Sequence, residues 1–88
     1  MIEIIVTSEE SPPVAHRFDQ PHIGIGRDPD NDVVLDSATC SRHHAEILFD
    51  GSTHRIVDLG STNGILVDRE KVSELELSHG VAVTIGQY

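Results

Sequence analysis

Apolar residues alternate with polar ones at a period of two through much of this chain. Ala45, Ile47 and Phe49 fall on one side of an extended run, with Glu46 and Asp50 on the other. Leu75 and Leu77 alternate with Glu74 and Glu76. Val81, Val83 and Ile85 repeat the pattern, as do Ile23 and Ile25. Successive side chains of a strand point to opposite faces, so this spacing suits half-buried strands with one face on a core. β-branched residues dominate the runs, which strengthens the strand assignment. Turn signals punctuate them closely: SPP at 11–13, DPDND at 28–32, DGS at 50–52, STNG at 61–64 and SHG at 78–80. Short strands at this spacing predict an all-β, antiparallel sandwich or barrel. The best helix candidate, DREKVSELELS at 68–78, sets Leu75 and Leu77 two apart, which favours turn and strand.

Length and charge narrow the function. The 88 residues are enough for one small domain, taken as 1–88. A formal net charge of −9 argues against nonspecific binding to nucleic acid, which needs many cations against phosphates. No apolar run approaches the roughly 18 residues of a membrane span, so no membrane partner is expected. The start, MIEIIVTSEE, has neither the basic flank nor the apolar stretch of a signal peptide. Cys40 is the single cysteine; it allows no internal disulfide and no CxxC zinc pair, and a reducing cytoplasm suits it.

Sites on small sandwiches sit in loops at one end. The loops that carry chemistry here are 26–32, 37–44 and 60–64. The stretch CSRHHAEI at 40–47 admits three readings. A Ser41–His44 nucleophile pair lacks a third orienting group and any GxSxG elbow. A metal site has two candidates on one strand face, His44 and Glu46, where zinc wants three or four ligands; neither a metal nor a cofactor is expected. The Gly24-x-Gly26 pair lacks the third glycine and the helix of a dinucleotide fingerprint. Anion binding remains: Arg27 and Arg42 offer planar forks that fit phosphate oxygens, and Ser41 and Thr62 add hydroxyl donors. Against this stands a plain surface ion pair between Arg27 and Asp28, Asp30, Asp32 or Asp36, worth at most about 1 kcal/mol.

The ordered set Gly26-Arg27, Ser41-Arg42-His43-His44 and Asn63-Gly64 resembles a forkhead-associated (FHA) domain. The surrounding segments DPDNDVVL, GSTNG and HGVAVTIG fit as well, so the resemblance covers essentially the whole chain. It implies a β-sandwich of about ten to eleven short strands that binds phosphothreonine peptides through loops at one end, in partners phosphorylated by a Ser/Thr kinase. It is then a signalling module and not an enzyme. Carried over position by position, Arg27 and Ser41 hold the phosphate and Arg42 adds a second contact. Thr62 lies near the phosphothreonine, and Asn63 bonds the peptide main chain. Gly26, His44 and Gly64 support the site, and His43 points to solvent. Family members usually continue past VAVTIG into a final strand that pairs near the N-terminal one, whereas this chain stops at Tyr88. Either the sequence is cut short here or the last strand is missing; the second case would leave residues 2–7 with an unpaired edge, a route to dimers or strand exchange. A phosphate-independent interaction module on the same fold is the alternative.

Overall fold

A computed structural model describes residues 1–88 and contains strands and turns but no helix. No helix is therefore long and apolar enough to cross a membrane. The strands are β1 (Ile2–Val6), β2 (Val14–Phe18), β3 (His22–Gly26), β4 (Val33–Val34), β5 (Ala45–Phe49), β6 (His54–Asp58), β7 (Ile65–Val67), β8 (Glu70–Val72) and β9 (Glu74–Leu77). They form a five-stranded sheet in the order β4-β3-β5-β6-β9 and two hairpins, β1-β2 and β7-β8. The run at 68–78 is turn and strand, as its two-residue leucine spacing requires.

The alternation of β3, β5 and β6 builds the core. Ile23 faces Ile47, Ile47 faces Ile56, and Ile56 faces Leu75, giving one apolar row across four strands. The three isoleucines are buried and Leu75 packs against them. Each such side chain contributes about 1.5–3 kcal/mol of transfer free energy. The same register sends Glu46, Arg55, Glu74 and Glu76 to the outer face. Val33 on β4 of the same sheet, Leu35 and Ile85 in loops and Ile65 on β7 complete the core. Phe49 ends β5 and is 39% exposed, so the inward face of that strand stops at Ile47.

Two features depart from a plain antiparallel sandwich. β4 pairs with β3 in parallel, through Ile25↔Val33 and Gly26↔Val34. The turn between them must therefore carry the chain back, and it is pinned internally: Asp32 accepts the Gly24 N–H at 2.9 Å, and Asn31 donates to the Asp28 carbonyl at 2.9 Å. The second feature is at 81–85, which makes a single bridge, Leu66↔Thr84, instead of a strand. Nine strands are thus present where ten to eleven were expected. β1 has β2 as its one strand partner. An apolar groove of about 720 Å³ opens between β1 and the 77–88 segment, floored by Val33, Ile47 and Ile56.

Candidate functional site

The antiparallel register decides where the loops go. Ile25 is opposite Ala45 and Ala45 is opposite Asp58, so the end of β3, the start of β5 and the end of β6 share one rim. The loops 27–32, 35–44 and 59–64 leave from that rim. Hydrogen bonds then stitch them together. Arg27 donates its backbone N–H to the Ser41 carbonyl at 2.9 Å, and Asp28 donates to the Arg42 carbonyl at 3.1 Å. Asn31 Nδ2 also reaches the Arg42 carbonyl at 2.7 Å. The Thr62 N–H donates to Ser41 Oγ at 3.1 Å, and Asn63 Nδ2 donates to the Thr39 carbonyl at 2.9 Å.

His44 is the centre of this brace and is completely buried. Its Nδ1 accepts the Ser41 backbone N–H at 3.1 Å. That acceptor role leaves the ring hydrogen on Nε2, which donates to the Gly64 carbonyl at 2.7 Å. The Gly64 N–H in turn donates to Ser61 Oγ at 2.9 Å, while the Ser61 hydroxyl donates to Asp58. Gly64 has φ 75°, the left-handed conformation that favours glycine. Gly26 is buried for a different reason: a Cβ there would overlap the Arg42 carbonyl. Only a bare α-carbon lets β3 approach the Ser41–Arg42 segment so closely.

The polar tips left over are suited to an anion. Ser41 Oγ accepts from Thr62 and has no acceptor inside the chain for its own hydrogen, so the O–H is free to donate. Asn63 is tethered through Nδ2, and its Oδ1 has no donor within the chain. Arg27 and Arg42 are exposed. Neither pairs with a carboxylate, although the chain has fifteen; the three ion pairs are Arg17–Glu3, His22–Glu46 and Arg55–Glu74. The surface ion pair open to Arg27 on sequence grounds is not formed. Asp28 instead caps the Asp30 N–H and Asp32 caps Gly24. Behind the rim, burial pushes the Cys40 thiol pKa up, while a hydrogen bond with Thr39 and the nearby Arg27 charge partly oppose the shift.

The eight residues singled out in the sequence thus come to one end of the molecule. His43 is exposed. The pairing of His44 with Glu46 does not occur: His44 turns inward to Ser41 and Gly64, and Glu46 lies on the outer face against His22 at 2.7 Å. His44 lies in the loop before β5 and outside the strand, so the strand parity on which that pairing depended does not extend to it. Sequence reasoning missed four supports, Asn31, Asp32, Thr39 and Ser61. The Asn and Asp in DPDND and the Ser in GSTNG were the available signal, since such side chains commonly bond backbone groups in turns.

Comparison with known proteins places this geometry in context. A family model described as "FHA domain" matches residues 23–86. The chain is 41% identical over 86 residues to the glycogen accumulation regulator GarA of Mycolicibacterium smegmatis, covering 96% of this chain and 54% of that protein. It therefore spans about half the length of this curated relative. A solved structure from a structural and functional analysis of phosphothreonine-dependent FHA domain interactions superposes with a TM-score of 0.83 at 28% identity, covering 98% of this chain and 90% of the other. EmbR of Mycobacterium tuberculosis, in complex with a low-affinity phosphopeptide, superposes with a TM-score of 0.80 at 38% identity, over 92% of this chain and 21% of that one.

Proposed function

The chain belongs to the FHA domain family, and from that premise we propose that it is a phosphothreonine-reading module that binds partners after a Ser/Thr kinase has modified them. The observation that carries the reading is Arg27, an exposed guanidinium without a carboxylate partner, beside Ser41, whose hydroxyl hydrogen is free. A phosphothreonine at neutral pH carries nearly two negative charges and three strong acceptor oxygens. Arg27 supplies paired N–H donors to it, Ser41 an O–H donor, and Arg42 a second cation. Asn63 Oδ1 takes a main-chain N–H of the peptide, and Thr62 lines the phosphothreonine side of the turn.

The magnitudes are sufficient for a switch. Hydrogen bonds to charged groups contribute about 1.5–3 kcal/mol each. Two of them separate phosphorylated from unmodified peptide by two or more decades, because about 1.4 kcal/mol is tenfold. The acidic remainder of the surface disfavours anions that cannot reach those donors. Nothing in this chemistry makes or breaks a covalent bond, so the module is a binder and not an enzyme, acting in the reducing cytoplasm that an unpaired Cys40 suits. The glycogen accumulation regulator that the chain resembles supports a regulatory setting.

Titration of matched phosphothreonine and unphosphorylated peptides, followed by calorimetry, tests the proposal. Binding of the phosphorylated form alone is expected. Equal affinity for the two forms would overturn it.

A further inference from the structure

We propose that Lys71 is a specificity residue of this site, whose ammonium reads an acidic side chain flanking the phosphothreonine where the peptide passes the Asn63–Gly64 turn. The inference rests on the phosphothreonine reading and extends it to the class of neighbouring residue the site prefers.

The β7-β8 register sets Lys71 opposite Leu66, two positions along the chain from Gly64. Side chains two apart on a strand share a face, so Lys71 leans back toward the binding rim along the Gly64 side. Gly64 has no side chain to block it. Cγ, Cδ and Cε of Lys71 lie 3.2–3.3 Å from where a Gly64 Cβ would begin. The aliphatic stem therefore rests against the turn, and the ammonium emerges one bond past Cε, a common disposition for a lysine on apolar support.

That support is rigid. The Gly64 carbonyl is held by His44, its N–H by Ser61, and Asn63 is tied to Thr39. A stem packed on a fixed turn loses less freedom when its head group engages a ligand. The head group is also free. Arg17 and Arg55 are matched with Glu3 and Glu74, but Lys71 has no carboxylate within ion-pair distance, despite Glu70 beside it and Glu74 nearby in sequence. In a chain of net charge −9, an unmatched cation beside the peptide-binding turn fits a carboxylate from outside. Ser41 meets this loop at Thr62, whereas Lys71 meets it at Gly64 beyond Asn63, so the anion Lys71 meets is distinct from the phosphate held by Arg27 and Ser41.

The test uses the whole chain and short alanine-rich phosphothreonine peptides, with glutamate placed at each flanking position in turn. The wild type is expected to favour one glutamate position by about two- to fivefold, the range of an exposed ion pair. Lys71→Gln, which keeps most of the stem, should abolish that preference and leave the affinity for the all-alanine phosphopeptide unchanged. Lys71→Glu should transfer the preference to lysine at the same position. A glutamate preference that survives Lys71→Gln, or its absence from the wild type, overturns the inference while leaving phosphate dependence intact. Equal binding of phosphorylated and unphosphorylated peptides would instead remove the underlying reading.

Discussion

The backbone N–H of Ser41 points at Nδ1 of His44 across 3.1 Å, so a fully buried ring positions the residue whose hydroxyl hydrogen is left free. The opposite nitrogen reaches Gly64 on another loop at 2.7 Å, which makes one buried imidazole a rivet between two segments. His44→Ala leaves a donor and an acceptor without partners, each costing about 1–3 kcal/mol, and opens a cavity besides. A loss of about 3 kcal/mol is expected, which lowers the melting temperature by roughly 10 °C or more in a domain of this size. Phosphopeptide affinity should fall with it. Thermal unfolding followed by circular dichroism, with calorimetric titration, checks both.

Arg27 sits in the same array with the opposite balance. Its backbone N–H holds the Ser41 carbonyl, and no protein carboxylate holds its side chain. Arg27→Ala keeps the backbone bond and removes only the exposed guanidinium. Stability should change by less than about 0.5 kcal/mol, as for surface substitutions generally. Phosphopeptide affinity should fall at least tenfold, the loss of about 1.4 kcal/mol or more. Arg27→Lys should recover only part of it, because an ammonium cannot reproduce the fork. If the alanine variants at 27 and 44 lost the same thermal stability, the division between contact and brace would be wrong.

Gly26 makes a prediction that depends on close packing alone. A methyl group at this position overlaps the Arg42 carbonyl and comes within 2.9 Å of Asn31 Nδ2. The backbone obstacle cannot rotate away, so the 41–42 segment must move. Gly26→Ala should cost about 1–3 kcal/mol from overpacking and displace Ser41 from the site. Chemical denaturation with the midpoint read by circular dichroism measures the first effect, and phosphopeptide titration the second. Gly51→Ala is a useful contrast, since nothing lies within 4 Å of the added methyl there, although φ 96° makes the backbone strained.

How much of this was legible in the residues themselves depended on whether the information was local. The strands at 22–26 and 45–49 were readable because Ile23, Ile25, Ala45 and Ile47 mark their inward faces at the period of the pleat. The candidate site was picked out by the order and spacing of Gly26, Arg27, Ser41, Arg42, His44, Thr62, Asn63 and Gly64, residues that the loops bring to one end of the molecule. Contacts between loops were not. Asn31 looks like any turn residue until its amide is seen under the Arg42 carbonyl, and Lys71 looks like a solvated strand cation until its stem is seen against Gly64. Strand parity misled at His44, which lies before β5 and is buried beside the equally buried Ala45, whereas alternation sends it outward with Glu46. Parity also overstated the last segment, because Val81, 39% exposed, precedes a stretch with only one bridge.

Cys40 supplies a prediction of a different kind, because it lies beneath the rim and takes no part in the proposed recognition. Its side chain is buried, and its Sγ is 3.9 Å from the Ile85 carbonyl. Burial disfavours the thiolate and raises the pKa above the ordinary 9.0, against smaller opposing effects of Thr39 and Arg27. The thiolate is the reactive form, so alkylation of the native protein at pH 8 should be much slower than in denaturant. The sign for stability follows from linkage. The unfolded chain releases this proton near pH 9.0, whereas the folded chain still holds it, so stability is undiminished below that value and falls as pH rises past it. Cys40→Ala removes the ionisation, and its melting temperature should decline less between pH 8 and pH 10 than that of the wild type. Equal declines, measured by differential scanning calorimetry, would mean that burial does not control this thiol.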